Sequence, residues 1–489
     1  MVGRTWTKNS RPTRIMKKYL FLSIYLALSG CSVNPVTGKQ DFVMMSENQE
    51  IAMGKRYHSQ VLQQMPPYQD AELQAYVQRI GDSLSTKSHR PNLFYRFTVL
   101  DSPDINAFAL PGGYIYINRG LMAYLSSEEE LAAVLGHEIG HVTARHSVRQ
   151  YSQSQLLGIL STAIEINQGR SAGNLANLAS GALLSGYGRD MELEADDLGA
   201  QYIAQEGYSP QGMFDVLSVL KDQEIYAKAQ AEKKGQEPRS YHGVFASHPS
   251  NDKRLQEILD KVTNSFSEEQ KKLTTNYLNK IEGMVYGDSE QSGVRRGNEF
   301  FHSELDLYFS SPNNWEIINT PQNLIFTSQT GEAVLQVNLE DLNFRESPRS
   351  YMDRVASNHY QGKELNINGF DGYTALSNRS GRTVRLAIIF KEKKIYKFIG
   401  YLKEGLDLFK RYDPEFLNII NTFNRLDERG KKLSKPLRIR KYIVKEGDTY
   451  KELAKESKIH YNPEDQLRLL NGDFPDDQLV AGESIKLVQ

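Results

Sequence analysis

The strongest chemical signal in this chain is one run of five residues, His137-Glu138-Ile139-Gly140-His141. On a helix, residues four apart lie on one face. Both imidazoles could then reach a single divalent cation, with Glu138 beside a water on that cation. The sequence supplies the helix this requires. Ser127, followed three residues later by Glu130, forms a capping box that opens a helix predicted from Glu128 to about Gln150. Leu131, Val134 and Leu135 give it an apolar face. The chemistry implied is hydrolysis by a metal-activated water, and the plain alternative is a helix carrying two ordinary histidines.

A hydrolytic zinc site needs a third protein ligand and an open position. Ser147 stands where one extended version of the pattern would put a third histidine. His146, five residues past His141, is expected to point off the metal face. Arg189-Asp190-Met191-Glu192-Leu193-Glu194-Ala195-Asp196 supplies carboxylates on a second predicted helix. Glu192 and Asp196 share a face there, while Glu194 points nearly opposite. Glu192 is therefore assigned to the zinc, and Asp196 is expected to accept a hydrogen bond that orients a ligand imidazole. The alternative for this stretch is a solvated acidic face.

With 489 residues, the chain is too long for one core. Lys+Arg 59 against Asp+Glu 60 gives a net charge of −1, which argues against nucleic acid as a partner. Arg14, Lys17 and Lys18 precede the apolar run Tyr19 to Leu28, and Leu28-Ser29-Gly30-Cys31 follows. This order of charge, apolar run and small residues resembles a secretory signal ending in a bacterial lipobox. Residues 1–31 are expected to be that signal, with Cys31, the only cysteine, as the lipidated residue. A cleaved signal with an incidental cysteine, or a short anchor helix, are the alternatives. Met16 is a better-placed start than Met1. Ser32 after the cysteine resembles enterobacterial lipoproteins held at the outer membrane, facing the periplasm. Past this segment, no stretch reaches the roughly 18 apolar residues of a membrane span.

The elements around the metal residues are expected to form a mainly α-helical peptidase domain with a small β-sheet, over residues 32–262. Ser46 with Gln49 and Glu50 marks a helix start. Leu93 to Leu100 reads as a strand, as do Ala107 to Leu110 and Tyr114 to Ile117 around Pro111-Gly112-Gly113. Residues 106–110 fit an edge strand that pairs with extended substrate, or an interior strand. The stretch 156–186 fits either core helices or a mobile lid, and Ala229 to Arg239 reads as an exposed loop. Alternating patterns over 281–425 predict a separate α+β domain, followed by a basic linker at 426–440.

Taken together, the five-residue motif, the Glu-x-x-x-Asp element about fifty residues on and a later His248-Pro249 resemble the HtpX, BepA and CAAX-protease-like family of zinc metallopeptidases. Asn34-Pro35-Val36-Thr37-Gly38-Lys39 resembles lipoprotein members of that family. The resemblance implies one Zn²⁺ per chain held by His137, His141 and Glu192, with Glu138 as general base. It also puts His248 near the metal, as a resting-state ligand or a transition-state donor. His248 or Arg254 would stabilise the oxyanion.

Tyr442-Ile443-Val444-Lys445-Glu446-Gly447-Asp448-Thr449 opens a segment, 441–489, that resembles a LysM module with strand–helix–helix–strand order. Helices at Lys451–Ser457 and Asp465–Asn471 and a last strand at Leu479–Leu487 are expected. Such modules bind peptidoglycan glycans; a small packing domain is the alternative. The function implied is an endopeptidase acting on misfolded or unassembled cell-envelope proteins. A peptidoglycan-directed peptidase and a non-cleaving, zinc-stabilised chaperone or scaffold are the other two readings.

Overall fold

The computed structural model describes residues 31–155, 187–233, 254, 277–320, 323–343, 345–403 and 408–489. Residues 1–30 of the signal segment, the stretch 156–186 and His248 lie outside these described residues. A hairpin of β1 (Cys31–Val33) and β2 (Gln40–Phe42) leads into α1 (Glu47–Gln64). Its capping box is complete: Ser46 accepts from the Gln49 backbone, and the Gln49 side chain accepts from that of Ser46. After α2 (Ala71–Thr86) come β3 (Arg96–Leu100), β4 (Ala107–Leu110) and β5 (Tyr114–Asn118). Their order is β3-β5-β4, with β3 parallel and β4 antiparallel to β5, so among the described residues β4 lies at an edge of the sheet.

After this sheet come α3 (Arg119–Tyr124), α4 (Glu128–Thr143), α5 (Arg189–Gln205) and α6 (Gln211–Lys233). Two expectations change here. The predicted loop from Ala229 is helical as far as Lys233. The helix predicted to reach Gln150 instead ends at Thr143, because Arg145 takes a left-handed φ of 55°. Long-range bonds hold that break: Arg145 Nε donates to Glu50 Oε2 at 2.9 Å and Nη2 to the Met45 carbonyl at 3.1 Å. Helix resumes at His146.

The remainder begins with α7 (Tyr277–Ile281) and β6 (Val285–Tyr286). A small sheet of β7 (Val294–Arg296), β8 (Glu299–His302) and β9 (Leu307–Ser310) follows. A seven-stranded antiparallel sheet then takes β10 (Trp315–Asn319), β11 (Leu324–Ser328), β12 (Ala333–Asp341), β13 (Tyr360–Ile367), β14 (Phe370–Arg379), β15 (Arg382–Lys391) and β16 (Lys394–Leu402). Its order is β10-β11-β12-β16-β15-β14-β13. Alternating side chains bury one face under α8 (Pro348–Val355), through Tyr351 and Met352. The other face is covered by α9 (Phe409–Asn421), through Phe416, Ile419 and Ile420.

The expected basic linker contains structure of its own. It holds α10 (Glu428–Leu433) and the start of β17 (Leu437–Ile443). The exposed Arg429 forms a fork with both Glu299 oxygens at 2.9 and 2.7 Å. β17 continues into α11 (Tyr450–Glu456), α12 (Pro463–Asn471) and β18 (Ser484–Val488), in strand–helix–helix–strand order. The last strand starts later than Leu479, after a turn with Gly482 at φ 92°. β17 pairs with β18 on one side and with β6 on the other, so residues 285–286 join this C-terminal sheet.

This unit packs directly on the helices that carry the motif. Tyr450, Leu453, Leu467, Leu470 and Leu487 share one apolar cluster with Leu121, Leu131 and Leu220. The buried Lys486 donates to the Leu125 carbonyl at 2.8 Å and to Ser126 Oγ at 3.3 Å, just ahead of α4. Burial pushes its amine down and the nearby Glu130 carboxyl up, while each charge draws the other back. Lys486→Met is therefore expected to destabilise the chain by about 2 kcal/mol, since a buried acceptor loses its donor. A denaturant midpoint unchanged from wild type would rule out this clamp.

Candidate metal centre

The helix start at Ser127 fixes the pitch of α4: Ser127 Oγ accepts from the Glu130 backbone at 3.1 Å, and Glu130 Oε2 accepts from the Ser126 backbone at 2.8 Å. The pitch brings His137 Nε2 to 2.9 Å from His141 Nε2. From α5, Glu192 Oε2 lies 3.6 Å from His137 Nε2, and Glu192 Oε1 lies 3.5 Å from His141 Nε2. Ligand atoms around a tetrahedral zinc with bonds near 2.0–2.1 Å stand about 3.3 Å apart, so these three residues fit the ion. All three are buried, and among the described residues they form the one histidine–carboxylate group close enough to hold a metal.

The hydrogen bonds behind the site support the same reading. Asp196 Oδ1 accepts from His137 Nδ1 at 2.8 Å, as the sequence predicts. A carboxylate accepts only, so the His137 proton sits on Nδ1 and its Nε2 lone pair faces inward. Burial opposes a charge on Asp196, but the Arg254 guanidinium and His137 overcome it and hold the carboxyl well below its usual range.

Arg254, expected near the oxyanion, has carboxylate partners the sequence did not indicate. Nε and Nη2 donate to Asp196 at 2.7 Å each, and Nη1 lies 3.0 Å from Glu192 Oε2. Its three nitrogens are thus turned to the carboxylates around the metal residues. Burial would lower its pKa, and Asp196 raises it instead.

Sequence reasoning also missed His146, Glu194 and Tyr187. His146 Nδ1 lies 2.7 Å from His141 Nδ1, and its Nε2 is 3.0 Å from Glu194 Oε2. The break at Arg145 brings it there, onto the far side of the His141 ring, where straight-helix geometry had not placed it. Burial pushes the His146 imidazole below its ordinary range, against the pull of Glu194. The bond to His146 in turn holds the Glu194 carboxyl down at about 2. Tyr187 stacks on His141 with ring centroids 4.0 Å apart, and its hydroxyl meets Ser147 Oγ at 2.6 Å. Five-residue spacing alone carried no signal for these contacts. An acidic residue beside the Glu192–Asp196 pair was the only hint.

Close approach of α4 and α5 makes the third ligand reachable. A Cβ on Gly140 would sit 2.8 Å from the Ala195 carbonyl, and one on Gly199 would sit 2.8 Å from the His137 nitrogen. Gly199→Ala is expected to force the helices apart, at a cost of about 1–3 kcal/mol. Zinc affinity should fall with it. Denaturation and zinc titration of the same variant check both, and wild-type values in each would refute the close-approach account.

Beside the site is a narrow cavity of about 30 Å³, lined by Ala107, His137, Glu138, Val216, Leu217 and Arg254 among others. Ala107 belongs to β4, which among the described residues pairs on one side only.

Comparison with known proteins agrees with this geometry. Residues 71–262 match peptidase family M48. The beta-barrel assembly-enhancing protease of Yersinia pestis is 30% identical over 240 residues, which is 47% of each chain. Metalloprotease YcaL of Escherichia coli is 31% identical over 170 residues, 34% of this chain and 61% of that one. Mitochondrial metalloendopeptidase OMA1 of Schizosaccharomyces pombe is 28% identical over 231 residues, 46% of this chain and 64% of that one. The chain thus spans about half the length of the first of these relatives.

Proposed function

We propose that this chain, which belongs to peptidase family M48 through its residues 71–262, is a zinc endopeptidase that cleaves extended segments of cell-envelope proteins. The observation that carries the reading is the buried convergence of His137, His141 and Glu192, with Glu138 on the adjacent cavity wall. Zinc, when bound, supplies a Lewis acid that acidifies water and polarises a carbonyl. The chain's own residues would do the rest. Glu138 takes the proton of the attacking water and returns it to the leaving amine. Asp196 holds the proton of His137 on Nδ1, and Arg254 fixes Asp196 and Glu192. His248 is assigned to the oxyanion on the sequence resemblance alone. Arg254 adds a positioning role to the one expected of it at the oxyanion, since its Nε and Nη2 already serve Asp196.

The position of β4 favours a polypeptide as substrate. An edge strand can add an extended peptide by main-chain hydrogen bonds. The name of the Yersinia pestis relative refers to β-barrel assembly, and we extend that setting to this chain as unassembled envelope proteins. The segment ahead of Cys31 supports a lipid anchor at the outer membrane. No helix among the described residues is long and apolar enough to cross a membrane. Glycan binding by residues 441–489 would add a hold on peptidoglycan.

The test is zinc content and cleavage of unfolded casein by the purified full chain, with and without chelator. One zinc per chain and chelator-sensitive cleavage are expected. A chain that takes up no zinc would overturn the reading, and bound zinc without cleavage would favour the scaffold.

A further inference from the structure

We infer that His146 and Glu194 are positioning residues that set the tautomer of His141 and so make it a metal ligand; this rests on the zinc-peptidase reading. The two metal-facing imidazoles are supported differently. His137 has a carboxylate directly behind it, Asp196 at 2.8 Å. Behind His141 stands a second imidazole, His146, and only behind that a carboxylate, Glu194.

The polarity of this chain of bonds follows from its end. Glu194 also accepts from Arg149 Nη1 at 2.9 Å and, like any carboxylate, has no proton to donate. The proton between it and His146 therefore sits on His146 Nε2. In the neutral ring the other nitrogen, Nδ1, then carries a lone pair. That lone pair lies 2.7 Å from His141 Nδ1 and accepts its proton. His141 is left with an unprotonated Nε2, the atom 2.9 Å from His137 Nε2 and 3.5 Å from Glu192 Oε1. Reversing the tautomer would put a proton on the atom that faces the metal.

Both carboxylates come from α5, on opposite sides of it. Asp196 shares the Glu192 face and reaches His137 unaided. Glu194 points away, and His146 spans the gap because the chain breaks at Arg145. Burial of His146 and the stacked Tyr187 leave the His141 ring little freedom to turn.

The experiment compares zinc dissociation constants of the full chain, by competition with a chromophoric chelator, together with the visible spectrum of the cobalt-substituted protein. His146→Leu is expected to weaken zinc by about 10–100-fold, the usual cost of losing such a partner, and to shift the cobalt bands. His146→Gln should recover most of the affinity, since its amide can accept from His141 and donate to Glu194. Leucine and glutamine are similar in size, so their difference isolates the hydrogen bonds from packing. Zinc binding by His146→Leu as tight as wild type, or by His146→Gln as weak as His146→Leu, would overturn the inference. Should His146→Leu not fold, Glu194→Ala at its part-exposed site decides in the same way, with weaker zinc expected. A wild-type chain that binds no zinc would instead bring down the peptidase reading, and this inference with it.

Discussion

Glu138→Gln is expected to leave zinc bound and lower cleavage of an unfolded protein by about 10²–10⁴-fold, the range over which a positioned acid–base group acts. The substitution keeps shape and volume. It removes the one carboxylate that lies between the ligand histidines on α4 and on the wall of the cavity beside them. His137, His141 and Glu192 are untouched, so metal content measured on the same sample should match wild type. This split separates a base from a structural residue. Loss of zinc together with activity would mean that Glu138 holds the site together. Full activity would mean that another group takes the proton.

Glu192→Ala should act in the opposite way, on the metal first. It removes one of three ligands, and it strips the buried Arg254 Nη1 of a carboxylate 3.0 Å away. Losing that contact adds about 1–3 kcal/mol of destabilisation to the lost coordination, since Asp196 still pairs with Arg254. Zinc affinity is expected to fall by more than the about 10–100-fold that an outer partner is worth. Glu192→Gln should fall between the two, because its amide oxygen can still coordinate weakly. Wild-type zinc affinity in Glu192→Ala would remove Glu192 from the ligand set and leave the two histidines without their partner on α5.

These two expectations were already legible in the residues. The pitch of a helix makes positions four apart neighbours, so His137 and His141 had to share a face, as did Glu192 and Asp196. The structure brings the two pairs together as that periodicity implied. Capping at Ser46 and Ser127 and the strands around Gly112-Gly113 were equally local signals, and all three stand. The basic run at 426–440, read as a linker, holds α10 and the start of β17, and its Arg429 and Arg438 bond Glu299 and the Gly283 carbonyl.

The candidate metal residues and the helices that carry them were legible in the sequence, because each follows from spacing along one helix. Three things depend on contacts between distant parts of the chain. Glu50 and the Met45 carbonyl hold Arg145 in the conformation that turns His146 back toward His141. Arg254 reaches Asp196 across 58 positions of chain. Lys486 fastens the C-terminal unit to the start of α4 across 361. Each of these is a buried charge whose partner is set by which surfaces meet in the fold. Such meetings are fixed by packing and by the cost of leaving a buried charge unpaired, and a local pattern of residues carries neither.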